Sequence, residues 1–171
     1  MAGRADTEPT DSVAGRRPPK RIALGVALRD ENSALKAQLR RMMMAYGEGD
    51  LAPIREALDP NVRYHPHGPK EFFRFAGPHK GFADAIASLS AIANDYAIHR
   101  YAIREMIGEG NVIWTTVDIE ATNRRQNIRL SFALIGRWQF EGNRVVSVDE
   151  YFDSGSIALQ LRLAEPKASG R

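Results

Sequence analysis

Cysteine is missing from the chain. That rules out disulfides and thiolate metal sites, and it makes a reducing cytoplasm the natural compartment. Long apolar runs are missing too: nothing approaches the roughly 20 apolar residues that a membrane-spanning helix needs. Nor is there a strong charge of one sign. The net charge is +3, and residues 1–21 hold most of it, with Arg4, Arg16, Arg17, Lys20 and Arg21 set against Asp6, Glu8 and Asp11. The same 21 residues lack aromatics and the apolar stretch of a secretory signal, and they carry Pro9, Pro18 and Pro19. Such a composition cannot bury enough surface to order itself, so 1–21 reads as a disordered basic tail with a solvated end. Arg124 and Arg125 sit in a turn without interleaved aromatics and form a solvated corner. Neither nucleic acid nor a membrane is an expected partner.

What is present fits a single soluble domain. The chain has 171 residues, 43% hydrophobic and 26% charged, enough to bury a real core. Residues 22–34 are a lead-in whose apolar stretch, Ile22 to Leu28, fits a short strand, an arm or a first helical turn. The folded domain is expected over 35–165, with a frayed end over 166–171. Leu35, Leu39, Met42, Met43 and Tyr46 recur on one face of a helix capped by Asn32 or Ser33 and ended by Gly47 or Gly49. Asp50 caps a short second helix with Leu51, Ile54 and Leu58 on its apolar face, Pro53 in its first turn and Asp59-Pro60 as its stop.

Val62 to His67 reads as a strand. A loop rich in glycine and proline follows, in which Phe72, Phe73 and Phe75 pack onto the core. Phe82, Ile86, Leu89, Ile92 or Ala93, and Tyr96 mark a third helix. Beyond it the period changes from helical to alternating. Strands are predicted over Ile98–Ile107, Val112–Thr122, Ile128–Phe140 and Val145–Phe152, separated by polar and glycine-bearing turns. Asp153 caps a closing helix that buries Ile157, Leu161 and Leu163. The order predicts an α+β fold: a strongly curved antiparallel sheet roofed by N-terminal helices, a cone-shaped barrel that encloses a pocket.

The chemistry concentrates on a few positions. Alternation along the last strand puts Val148, Glu150 and Phe152 on one face, and Asp149, Tyr151 and Asp153 on the other. A carboxyl held among apolar groups has a raised pKa and serves as an acid or base near neutrality. The alternative for Glu150 is an arginine partner or solvent at the pocket mouth. Asp118 shares a strand face with Trp114, Thr116 and Glu120, a mixture typical of pocket walls and also of ordinary exposed faces. His65 and His67, two apart, point the same way. Imidazoles at that spacing can bind a metal, but no cysteine or third nearby histidine completes a set and Pro66 interrupts the strand, so no metal is expected. An acid–base or hydrogen-bonding role suits His65 better, and His79 and His99 read as surface residues. Phe132, Leu134, Trp138 and Phe140 line one face of the long third strand. Gly136 on that face either leaves room for a ligand or marks a bend.

The element order, the run Ala45-Tyr46-Gly47-Glu48-Gly49-Asp50-Leu51, Gly81 opening the third helix, and the closing Arg144-Val145-Val146-Ser147-Val148-Asp149-Glu150-Tyr151-Phe152-Asp153 resemble the nuclear transport factor 2-like superfamily. Within it the chain is most similar to SnoaL-like polyketide cyclases, ketosteroid isomerases and limonene epoxide hydrolases, over about Leu35 to Leu163. The resemblance to the hydrolases implies a catalytic carboxylate at Glu150 and a second at Asp118. It sets Thr116 where they carry an arginine, and His65 with His67 (or Tyr64) where they carry a tyrosine and an asparagine. The resemblance to the isomerases puts Met42 at the oxyanion tyrosine, Gly136 at the acid donor and His65 near the general base. The cyclases place a histidine near Gly136.

Taken together, these readings imply a cofactor-free enzyme acting on a small apolar molecule. Glu150, Asp118 and His65 would be catalytic, with Tyr64, His67, Trp114, Thr116, Phe132, Leu134, Trp138, Val148 and Phe152 around the substrate. The alternative is a non-catalytic ligand-binding or dimerisation module. Relatives imply a homodimer through the other face of the sheet, with Ile135, Arg137 and Gln139.

Overall fold

A computed structural model of the protein describes residues 32–163. The tail expected over 1–21, most of the 22–34 lead-in and the end expected over 166–171 lie outside the described residues, as does the side chain of Leu163. Helix α1 (Ser33–Gly47) is followed by α2 (Ala52–Ala57), β1 (Leu58–His67), β2 (His79–Lys80) and α3 (Phe82–Asp95). Then come β3 (Tyr96–Glu109), β4 (Val112–Asn123), β5 (Ile128–Glu141), β6 (Arg144–Phe152) and α4 (Ser154–Leu163). No helix among the described residues is long and apolar enough to cross a membrane.

The strands form one sheet in the order β2-β1-β6-β5-β4-β3. The antiparallel meander β3 to β6 is as expected from the alternating pattern. Two features of the sheet are not. β1 joins β6 in parallel, and the pairing of His79 and Lys80 with Tyr64 and Arg63 makes a short strand β2 that the glycine- and proline-rich composition hides. β2 and β3 are both edges, so the curved sheet stays unclosed and the helices complete the enclosure.

Local chemistry explains most boundaries. The Asp50 carboxylate accepts the Ala52 N–H at 2.8 Å and starts α2. That helix ends at Ala57, earlier than Asp59-Pro60 suggests, because Leu58 already pairs with Val145 in the sheet. Asp153 accepts the Ser156 N–H at 2.9 Å and starts α4, the capping role its sequence position implies. Tyr96, expected on the third helix, instead opens β3. Of the three loop phenylalanines, Phe73 and Phe75 are buried, whereas Phe72 is 56% exposed.

The core lies between the helices and the concave face of the sheet. Leu39, Met42 and Met43 from α1 meet Ile113, Val117 and Ile119 from β4, Leu134 and Phe140 from β5, and Val145 and Val148 from β6. Burying large side chains of this kind stabilises by about 1.5–3 kcal/mol each. Phe73, Phe75, Leu130 and Ile157 make a second apolar cluster beside it.

Candidate functional site

Strand parity decides which side chains meet. On β6, Val148 and Glu150 point into the concave face while Asp149 points out, as alternation requires. On β1 the parity brings Tyr64 inward, and its hydroxyl donates to Glu150 Oε2 at 2.7 Å. Two further tyrosines feel the charge of that carboxylate: Tyr46 from the end of α1 and Tyr101 from β3. Their rings meet edge to face at 5.7 Å. The close approach depends on Gly47, where a Cβ would stand 2.8 Å from the Tyr101 Cβ.

Tyr101 reaches the interior through a bulge. Strict alternation from Ile98 would send it outward with the strand's solvent-facing residues. Register shifts between Ile98 and Arg100 and between Ile103 and Glu105 reset the parity, so that Tyr101 pairs with Ile119 and Ile103 with Val117, both inward. A period-2 reading misses Tyr101 for that reason. Tyr46 is hidden differently, within an apolar helical stripe that any core helix would show.

Glu150, Tyr46 and Tyr101 line a cavity walled also by Phe75, Ile92, Tyr96, Phe132, Leu134 and Phe152. The cavity has a volume of about 60 Å³. A much smaller void of about 20 Å³ lies behind Glu150, against Tyr64, Leu89, Trp138 and Val148. Burial pushes the Glu150 carboxyl up to about 7, and the Tyr64 hydrogen bond opposes that rise. Burial likewise drives the Tyr64 and Tyr101 phenols well above their ordinary value, with the Glu150 charge adding to it. All three tyrosines therefore stay neutral hydroxyl donors beside a carboxyl that titrates near neutrality.

Gly136, the register partner of Glu150 on β5, is filled rather than empty. A Cβ there would lie 2.6 Å from Trp138 Nε1 and 2.8 Å from Thr115 Oγ1. The glycine makes way for the indole, whose N–H donates to Thr115 Oγ1 at 3.2 Å. Met42, at the place of the isomerases' tyrosine, is part of the core.

Several expected positions fall elsewhere. Phe132, Leu134 and Phe152 wall the main cavity, and Tyr64, Trp138 and Val148 wall the void behind Glu150, as the face assignments on β5 and β6 require. Trp114, Thr116 and Asp118 do not join them. The inward face of β4 is the more apolar one, Ile113, Thr115, Val117, Ile119 and Ala121, and the alternate residues turn to the convex side. There Asp118 is ion-paired with Arg104 from β3. His65 and His67 also lie on the convex face, because Val62, Tyr64 and Pro66, which alternate with them along β1, take the inward one. The structure thus brings Glu150 together with Tyr64, and separates both from Asp118, His65 and His67.

The family model of the SnoaL-like domain matches residues 39–148. No curated protein matches the chain. Similar solved structures include a putative isomerase from Rhodopseudomonas palustris, 20% identical, covering 74% of this chain and 94% of that one with a TM-score of 0.65. A nuclear transport factor 2-like protein of unknown function from Burkholderia pseudomallei is 23% identical, with 77% and 97% covered and a TM-score of 0.66. An LEH-like epoxide hydrolase from M. tuberculosis is 15% identical, with 75% and 89% covered and a TM-score of 0.60. Likeness at these identities shows the fold.

Proposed function

Because the chain belongs to the SnoaL-like domain family, we propose that it is an acid–base enzyme for a small apolar substrate, of the isomerase, cyclase or hydrolase type. The observation that carries this reading is the Glu150 carboxyl buried in the wall of a largely apolar cavity, where burial pushes it up to about 7. A base is most effective when its pKa lies near the working pH. In its ionised form Glu150 would take a proton from an activated C–H or from a water. In its protonated form it would return that proton at a neighbouring position. Tyr46 and Tyr101, which line the cavity, supply neutral O–H donors for the negative charge that develops on a substrate oxygen, while Tyr64 holds Glu150 in place. The cavity's small volume favours a compact molecule. The chain's own carboxyl and phenols suffice for this chemistry, and the absence of cysteine fits a reducing cytoplasm as the site of action.

Solvent-deuterium exchange tests the reading without a known substrate. A panel of small enolisable ketones and unsaturated ketones is incubated with the protein in heavy water, and label uptake is followed by mass spectrometry. Catalysed exchange by the wild type, lost in Glu150→Gln, is expected. Equal exchange by the two proteins would sink the assignment of Glu150.

One observation favours an additional partner. Trp114, Ile135 and Tyr151 are each more than 40% exposed on the convex face, and Ile135 is the register partner of both Thr116 and Tyr151. Exposed apolar side chains of that kind on three neighbouring strands suit a second copy of this chain. Light scattering on wild type and Ile135→Lys would reveal it as a dimer that the charge breaks.

A further inference from the structure

On sequence alone, His65 and His67 lack a third metal ligand. The parallel pairing of β1 with β6 brings one. His65 is the register partner of Asp149, and His67 that of Tyr151, so both imidazoles and the carboxylate rise from the convex face side by side. One donor atom from each of His65, His67 and Asp149 lies within 4.8 Å of the others. His67 Nε2 is 3.0 Å from Asp149 Oδ1. The two imidazoles stack at 3.7 Å, and Tyr151 stacks against His67 at 4.2 Å, which limits the freedom of the His67 ring. The remaining two histidines are engaged elsewhere: His79 Nε2 with the Phe75 carbonyl at 2.9 Å, and His99 Nε2 with Thr122 Oγ1 at 2.8 Å.

We propose that His65, His67 and Asp149 form a binding site for a divalent transition-metal ion of the Zn²⁺ class, on the face of the sheet opposite the Glu150 cavity. Two imidazoles and one carboxylate are a donor set such ions take, with water completing the shell. Adjacent donors in a tetrahedral zinc site stand roughly 3.4 Å apart. The observed cluster therefore closes by turning side chains, with the strands left in place. His67 Nε2 and Asp149 Oδ1, now in contact with each other, would both serve as ligands. Arg137 from β5 stands with Nη1 3.7 Å from Asp149 Oδ2, which orients the carboxylate and leaves Oδ1 for the ion. A surface depression bordered by His65, Arg137 and Asp149 gives an ion access from solvent.

The test is a Zn²⁺ titration of the tag-free, full-length protein by calorimetry, with imidazole NMR resonances followed in parallel. The expected result is one Zn²⁺ per chain, with His65 and His67 resonances moving together while that of His99 stays still. His67→Gln and Asp149→Asn should each weaken binding by about tenfold or more, and Glu150→Gln should bind like the wild type. His65→Gln provides an independent variant should one of the others fail to fold, which circular dichroism reports. The proposal is overturned if the wild type takes up no stoichiometric Zn²⁺, or if folded His67→Gln and Asp149→Asn bind it undiminished. Movement of the His99 resonance together with the others would equally reduce it to nonspecific surface binding.

Discussion

Asp149 and Glu150 are consecutive residues of one strand, yet they meet opposite surroundings. Asp149, on the convex face, lies among an imidazole, a guanidinium and solvent. Glu150, on the concave face, has aromatic walls and a single phenol donor, and its carboxyl is raised to about 7. Residue type is nearly the same, so the difference comes from the side of the sheet. Polar company makes a carboxylate a ligand or an ion-pair partner. Apolar company makes its charge costly and turns it into a proton carrier near neutral pH.

The largest test of that contrast is turnover. Once a substrate is in hand, Glu150→Gln should lower kcat by about 10²–10⁴-fold, the usual span for a lost acid–base group. Asp149→Asn should leave kcat within a few-fold. Matching losses in the two variants would erase the distinction between the faces.

Stability against pH gives the second. The folded protein holds the Glu150 proton up to about pH 7, whereas the unfolded chain releases it near the ordinary value of 4.5. Between those values the native state binds more protons, so this group's contribution to stability falls as the pH rises through the window and stays low above it. Glu150→Gln removes the penalty and, at pH 8, should exceed the wild type by roughly 2–3 kcal/mol in urea unfolding. Asp149→Asn should shift stability by less than about 1 kcal/mol at the same pH. A Glu150→Gln protein no more stable than the wild type at pH 8 would mean that the carboxyl is well solvated.

A third comparison concerns Gly136, whose missing side chain gives the Trp138 indole its place. Gly136→Ala should destabilise by about 1–3 kcal/mol through overpacking, seen as a lower urea midpoint, while the exposed neighbour Ile135→Ala costs less. The smallest effect belongs to Asp118→Asn, which breaks a solvent-exposed pair with Arg104 and should move stability by less than about 1 kcal/mol and turnover not at all. A large loss of turnover in that variant would restore Asp118 to the active site.

Sequence patterning carried some of this and not the rest. The alternation in β6 separates Glu150 from Asp149 with no structure in hand, because a strand's period is two. The same period on β4 separates Asp118 from Val117 but does not say which side is concave. The more continuous apolar series Ile113, Val117, Ile119 and Ala121 marks the concave side, and the large ring of Trp114 on the other side masks it. Tyr101 needs a bulge to point inward, and nothing in the letters Tyr-Ala-Ile-His-Arg-Tyr announces one. The meeting of His65 with Asp149 is further out of reach, since it rests on a parallel pairing between strands more than eighty residues apart in the chain.

That parallel pairing also sets the order in which the molecule can be assembled. β1 has two neighbours in the sheet, the two-residue β2 and the last strand, β6. As the chain leaves the ribosome, β1 emerges early and has only β2 to pair with until the whole meander has been synthesised. Tyr64 and Glu150 come into contact only at that final step, across a separation of 86 residues. Long-range closure of this kind is slow, because the entropy of the intervening loop must be overcome before any contact rewards it. The cavity and the histidine cluster on the reverse of β1 would thus be completed together, by the docking of one strand at the end of folding.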